Sequence, residues 1–394
     1  MTTFDHFDHL SPDLGERFHE TLADLRDRCP VLHSDLHGGF WVATRYDDVL
    51  AVGQDWATFS SAHGLTVPVA PIATRNIPVE VDPPLHREYK RLINAHFTPA
   101  KVAAWDGPTR ALVRRLLNGF VAKGACEFMD EFARPFPSLM FFEIAIGAPA
   151  DQIEHVAHLA SRASTPTAPD AAECWAGLSQ WITDFVEERR RRPPRGDVVD
   201  AVIAAEVEGR PITQDEIVGI VQLLVLGGLE TTAGALGLMV ERFCHEPEIP
   251  ALLRAEPERI PAAIEELLRL DSSFVSIART ATTDTELGGQ TIRAGEKIVI
   301  YWASANRDER EFPNPDAFDL DRPTNRHLAF GAGPHRCAGS SLARANLRIA
   351  LEELLPRLHD IRLQDGAEVR HPTTSTRTLA SLPITFTPAG PAPT

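Results

Sequence analysis

Phe330-Gly331-Ala332-Gly333-Pro334-His335-Arg336-Cys337-Ala338-Gly339 is the stretch on which the reading of the fold turns. Glycine permits positive φ and proline fixes φ, so Gly331, Gly333 and Pro334 predict a tight loop ahead of Cys337. Helical periodicity starts at Ser340, which puts Cys337 at a helix N-terminus. Free N–H groups and the helix dipole favour an anion there, and such a setting lowers a thiol pKa. A lone cysteine beside a glycine-rich turn is more often a buried, inert residue. The Phe, Gly, His and Arg surrounding this one shift the balance toward a thiolate that ligates a metal.

Upstream of that loop, Glu266 and Arg269 lie three residues apart on one helix face. Taken alone they predict a surface ion pair worth roughly 0.2–0.5 kcal/mol. Further upstream, Leu226-Gly227-Gly228-Leu229-Glu230-Thr231-Thr232 falls inside a long apolar helical pattern. Each glycine costs that helix about 1 kcal/mol relative to alanine, and the β-branched threonines add strain. Close helix packing or a functional groove would account for the run.

The remaining pattern is mostly helical. Helices are predicted over Asp13–Arg28, Tyr46–Val52, Arg87–Ala95, Pro99–Lys123, Glu173–Arg192, Thr213–Cys244, Pro257–Leu270 and Ser340–Arg357. Thr213 followed by Glu216 is a capping-box signature. Short strands are predicted over Val31–Leu36, Phe40–Ala43, Thr291–Ile292, Lys297–Tyr301 and Pro383–Thr387. The expected fold is a single domain over residues 1–394, mainly α with a small β subdomain, with residues 1–10 and 389–394 frayed. Two stretches, Ser60–Pro83 and Ala303–Ala329, read as irregular, and long irregular segments in a compact domain are often functional.

Composition narrows the function. The 394 residues are 43% hydrophobic and 24% charged, with a formal net charge of −16. That charge repels phosphate backbones and argues against nucleic-acid binding. The basic run Arg189–Arg192 reads as a solvated helix end. Cys29, Cys126, Cys174, Cys244 and Cys337 are odd in number and scattered, which points away from a disulfide framework and toward a reducing, cytoplasmic setting. Met1–Leu10 carries Asp and His where a signal peptide needs basic and apolar runs. Val218–Leu226 is apolar but interrupted by Gly227, Gly228 and Glu230, so it reads as a buried helix, with no membrane span expected.

The cysteine loop resembles the haem-binding loop of the cytochrome P450 family, and four separate motifs match that family in order. The resemblance implies a triangular, helix-rich domain enclosing haem b (iron protoporphyrin IX), with Cys337 as the axial iron ligand. It implies that Phe330 packs beside the sulfur, that Gly331 and Gly339 let the chain approach the haem, and that His335, His86, Lys90 and Arg279 meet the haem propionates. Lys90 stands where the family usually has arginine; it keeps the charge and loses the bidentate fork. Glu266 and Arg269 become a buried pair completed by a third partner from the Asn306–Arg322 region. Gly227 and Gly228 open a groove for dioxygen, Thr231 turns its hydroxyl toward a carbonyl one turn back, and Glu230 relays protons.

The same resemblance implies a monooxygenase using dioxygen as co-substrate, with NAD(P)H electrons arriving through a ferredoxin and its reductase. Arg87, Arg336 and Arg344 are expected to form the docking patch. The substrate pocket is expected along the Ser60–Val81 loop, Leu223, Leu226, Gly227, Phe274, Val275, Ile277 and Thr378–Leu382. It would suit a terpenoid, polyketide or aromatic substrate, in hydroxylation of a secondary metabolite. Arg75 is a weaker candidate for a substrate carboxylate. The chain is expected to be a monomer. The rivals are desaturation or oxidative coupling at the same haem, a non-catalytic haem sensor, and a cofactor-free helical interaction protein.

Overall fold

Gln214–His245 forms a single 32-residue helix through the largest apolar core. The computed structural model describes residues 6–70, 74–163 and 168–389. The helix begins at the expected capping box: the Thr213 hydroxyl accepts from the Glu216 N–H at 3.3 Å, and the Glu216 carboxylate accepts from the Thr213 N–H at 2.7 Å. It is the one described helix long and apolar enough to cross a membrane, but most of its apolar window is covered by the rest of the protein, as befits a core helix.

Helices dominate, and most lie close to their predicted spans. Tyr46–Gln54, Leu85–Asn94, Ala171–Arg190, Ile260–Leu270 and Ser340–Leu354 are all present. Two predicted helices divide. Asp13–Arg28 breaks at Arg17 into Pro12–Glu16 and Phe18–Arg28. Pro99–Lys123 becomes Pro99–Ala103 and Asp106–Asn118. Pro108 explains the second break: inside a continuous helix its ring would meet the carbonyl of Ala104, whereas in the first turn of a new helix its missing N–H costs nothing. The segment Met129–Ile146, unassigned from the sequence, contains two π-helical turns, Met129–Ala133 and Met140–Ile146, around Pro135–Leu139.

The β lobe is a five-stranded sheet in the order Val31–Ser34, Phe40–Ala43, Lys297–Tyr301, Ser276–Ala281, Phe59–Ser60. Lys297–Tyr301 runs parallel to Phe40–Ala43 and antiparallel to Ser276–Ala281, with Val299 opposite Ala278. Ser276–Ala281 is buried along its whole length, so it lacks the alternation that marks a half-exposed strand, and Arg279 within it hides its apolar character. Near the C-terminus, Leu358–Leu363, Pro383–Pro388 and Ala125–Glu127 form a three-stranded sheet.

Within the ends expected to fray, the described residues make packing contacts and hydrogen bonds. Phe7 and His9 are buried, and the Ser34 hydroxyl donates to the Phe7 carbonyl at 2.8 Å. The Ala389 N–H donates to the Arg357 carbonyl at 2.9 Å. Residues 1–5 and 390–394 of those expected ends lie outside the described residues.

Candidate active site

The cysteine loop folds back on itself. The Cys337 N–H donates to the Phe330 carbonyl at 2.8 Å, and the Gly331 N–H donates to the Leu328 carbonyl at 2.8 Å. Gly333 has φ +66°, and a Cβ there would lie 2.4 Å from the Gly53 carbonyl oxygen, so only glycine fits. At Gly339 a Cβ would come to 3.9 Å from the Cys337 Sγ, an ordinary contact distance, so this glycine lies beside the sulfur. Cys337 is surrounded by protein while its side chain opens onto an internal cavity of about 310 Å³.

The electrostatics of the sulfur differ from the expectation of a lowered pKa. Burial pushes the Cys337 thiol up, and the opposing pull of the Gly339 N–H, Lys90, Arg344 and Arg336 does not overcome it. The helix N-terminus alone is therefore not enough to ionise this cysteine. Coordination to a cation would do so, because a coordinating thiol is deprotonated outright.

Beneath the loop, Glu266 and Arg269 are almost wholly inaccessible. Arg269 grips Glu266 with two bonds of 2.8 Å and donates to the carbonyls of Asn306, Pro315 and Ala317. Arg322 is the expected third partner, at 3.2 Å from Glu266, and Asn325 and the Asp319 N–H fill the remaining lone pairs. The surface-pair reading is thus replaced by a satisfied buried network. Beside it, Arg344 makes two bonds to Glu265, at 2.6 and 2.7 Å, while its guanidinium lies 4.3 Å from the Phe330 ring centre.

The long helix forms the opposite wall. Gly227, Gly228, Thr231 and Thr232 line the cavity, and a Cβ at Gly227 would meet nothing within 4 Å. The Thr231 hydroxyl donates to the Gly227 carbonyl at 3.0 Å, as expected, while the helix runs unbroken through this turn. Ser273 donates to the Thr231 carbonyl at 2.7 Å and so ties this turn to the start of the buried strand region. Glu230 is not among the residues lining the cavity. Burial raises its carboxyl pKa, partly offset by a hydrogen bond from Ser161 and by Arg134. Ser161 is exposed to solvent.

Basic groups gather at one end of the cavity. His86, Lys90, Arg279, His335 and Arg336 all line it. The His86 and His335 rings are 4.3 Å apart, and the Nδ1 atom of each is buried without a hydrogen-bond partner. Burial lowers His86 to about 4, with Lys90 adding repulsion, and lowers His335 to about 2, with Arg279, His86 and Lys90 adding theirs. Arg279 is brought down to about 10 by burial, and its one side-chain bond is to the neighbouring Ala278 carbonyl. Arg279, a buried cation whose side-chain bond is to one carbonyl, calls for an anion beside it. A flat, largely apolar ring bearing two carboxylates fits the cavity, the buried Arg279 cation and the sulfur together, so these residues suit haem. Lys90 is turned to the cysteine loop, bonding the carbonyls of Pro334 and, at 2.5 Å, Arg336. The Ser61 hydroxyl, itself bound to Asp82, holds the His335 Nε2 at 3.2 Å.

Of the expected pocket residues, Leu223, Phe274 and Ile277 line the cavity, with Pro78 and Val79 from the irregular Ser60–Val81 stretch, of which residues 71–73 lie outside the described residues. Leu226, Val275 and Thr378–Leu382 do not line it; Val275 is fully buried in the β-lobe core, and its N–H donates to the Ser375 carbonyl. Arg75 is exposed and away from the cavity. Pro137, Met140 and Phe141 line it and were not foreseen. Met140 and Phe141 come from a π-helical turn and Pro137 from the short α-helix before it, and the apolar residues of this stretch show no single period. The expected docking trio also divides: Arg87 and Arg336 are exposed, whereas Arg344 is engaged with Glu265 and Phe330.

Residues 145–383 match the family model described as "Cytochrome P450". A steroid C26-monooxygenase of Mycolicibacterium smegmatis is 33% identical over 377 residues, covering 93% of this chain and 92% of the relative. Nocardicin C N-oxygenase of Nocardia uniformis is 36% identical over 361 residues, covering 88% and 89%. Among solved structures, a Mycobacterium marinum cytochrome P450 in complex with pseudoionone superimposes with a TM-score of 0.88 at 29% identity, covering 98% of this chain and all of that one.

Proposed function

The chain belongs to the cytochrome P450 family and is a haem monooxygenase; from that premise we propose that it inserts one atom of dioxygen into a C–H bond of a small-to-medium, mostly apolar molecule. Ferredoxin and its reductase would carry the electrons from NAD(P)H, in the cytoplasm. The observation that carries the substrate class is the lining of the cavity. Pro137, Met140, Phe141, Leu223, Phe274 and Ile277 form an apolar wall, and every cationic group is confined to the Cys337 end. No Asp or Glu lines the cavity among the described residues. A charged substrate would be desolvated without compensation there. The relative named for steroid C26 oxygenation acts on an apolar class of molecule.

Haem, when bound, supplies the iron that activates dioxygen. The protein's part is to hold and move protons, exclude water and position the substrate. Cys337 would ligate the iron, and His86, Arg279 and His335 would meet the propionates, with Lys90 bracing the loop. Thr231 holds a proton at Oγ1 on the cavity side, ready to exchange its bond to the Gly227 carbonyl for one into the cavity. Burial raises the Glu230 carboxyl pKa, and its bond to exposed Ser161 would connect it to solvent. Phe141 packs over Gly228, with its ring 3.4 Å from where a Cβ would be, and helps keep water out.

Turnover with isotopically labelled dioxygen, a ferredoxin–reductase pair and a panel of steroids and terpenoids tests this reading. A product carrying one labelled oxygen atom is expected. Loss of two hydrogens without oxygen would replace insertion by desaturation or coupling. Consumption of neither reductant nor dioxygen with any tight-binding panel member would favour a sensor.

A further inference from the structure

Outside the lining of the haem cavity, Asp8, His9 and His37 bring one ligand atom each within 4.8 Å of one another. They are the one such group among the described residues. Asp8 and His9 come from the N-terminal segment. His37 comes from the turn between strands Val31–Ser34 and Phe40–Ala43, where its backbone takes φ +53°. An Asp8–His37 contact of 2.9 Å could be a simple latch, but it leaves His9 unexplained.

His9 is 6% exposed, and its Nε2 lies 2.6 Å from the Val67 carbonyl. A carbonyl only accepts, so Nε2 carries the proton and Nδ1 holds a lone pair. That Nδ1 is buried and has no hydrogen-bond partner among the described residues. A buried acceptor with nothing to accept from requires an explanation. The arrangement has a familiar chemical logic: metal-ligating histidines donate their other N–H to a carbonyl, which fixes the tautomer and the ring. Asp8 is fixed in the same way, its Oδ1 accepting the Leu10 N–H at 2.9 Å.

We propose that Asp8, His9 and His37 form a binding site for a borderline divalent cation of the zinc type. Two imidazole nitrogens and one carboxylate suit zinc better than calcium or magnesium, which prefer all-oxygen shells. His37 is exposed, which would let an ion reach the group from solvent. The ion would fasten the N-terminal segment to the strand turn and, through His9, to the loop at Val67.

The test is zinc titration of the haem-loaded protein by calorimetry, paired with thermal unfolding with and without zinc. Wild type is expected to bind one zinc ion tightly and to unfold at a higher temperature when it is present, with an unchanged haem spectrum. His37→Asn and Asp8→Asn lie toward the surface and should fold. Each should weaken zinc binding by roughly tenfold or more and abolish the thermal shift. Calcium should reproduce neither effect. Absence of zinc binding to wild type at micromolar concentrations would overturn the site. So would zinc affinities in both variants equal to wild type, which would place the ion elsewhere, for example on free cysteines.

Discussion

Thr231 has two possible hydrogen-bonding directions, and its proposed role depends on the choice between them. In this structure the hydroxyl donates back to Gly227, while Ser273 fixes the Thr231 carbonyl from the other side. Thr231→Val keeps the shape and removes the proton. It is expected to cut product formation roughly a hundredfold, the low end for a positioned acid–base group, while reductant consumption continues and appears as hydrogen peroxide. Product yield unchanged per reductant consumed would remove Thr231 from the proton path. Much of this was legible beforehand: glycine and threonine types within one helical turn imply the groove and the back-bond. The bonds from Ser161 and Ser273 were not, because each serine belongs to a distant segment that only the fold brings alongside. Lys90 shows the same limit. Its charge could be read, but its contacts with carbonyls of the cysteine loop depend on packing across the molecule.

At the scale of elements, the cysteine loop stands on two adjacent acids with different partners. Glu266 is enclosed by Arg269, Arg322 and Asn325. Removing one member of a buried pair costs about 3–5 kcal/mol, so Glu266→Ala is expected to yield haem-free or unfolded protein, read from the haem-to-protein absorbance ratio. Glu265 behaves as a pH-dependent brace. Burial alone would raise its carboxyl, but Arg344 and His327 outweigh burial and hold it at about 2 rather than the ordinary 4.5. Its contribution to stability is therefore fully present above pH 4.5 and is lost as pH falls through about 2. Glu265→Gln should flatten that part of the stability-versus-pH curve; a curve parallel to wild type would contradict the assignment. The Glu-x-x-Arg spacing made the pair legible, whereas its burial became evident only from the carbonyls that surround Arg269. The strand Ser276–Ala281 and the π-helical turns were missed for a related reason. Neither presents a clean period, since one is buried on both faces and the other winds more widely than an α-helix.

For the molecule as a whole, a net charge of −16 coexists with exposed arginines near the cysteine loop. An acidic electron donor would meet Arg87 and Arg336; Arg344 is a poor docking probe because it braces Glu265. Arg336→Glu is expected to slow reduction by a ferredoxin at low salt, with the difference shrinking at high salt. Equal rates at low salt would place docking elsewhere. The mainly helical class, the small β lobe and the order of motifs were readable from periodicity and loop chemistry. The cavity's apolar wall was only partly so, because Phe141 and Met140 reach it from a segment with no sequence signature. The central claim is that Cys337 presents a thiolate to haem iron, and the absorption spectrum of the purified protein, reduced and exposed to carbon monoxide, tests it most directly. The account predicts a strongly red-shifted Soret band that Cys337→Ala abolishes. A band at the ordinary haem position in the wild-type protein, or no haem at all, would contradict it.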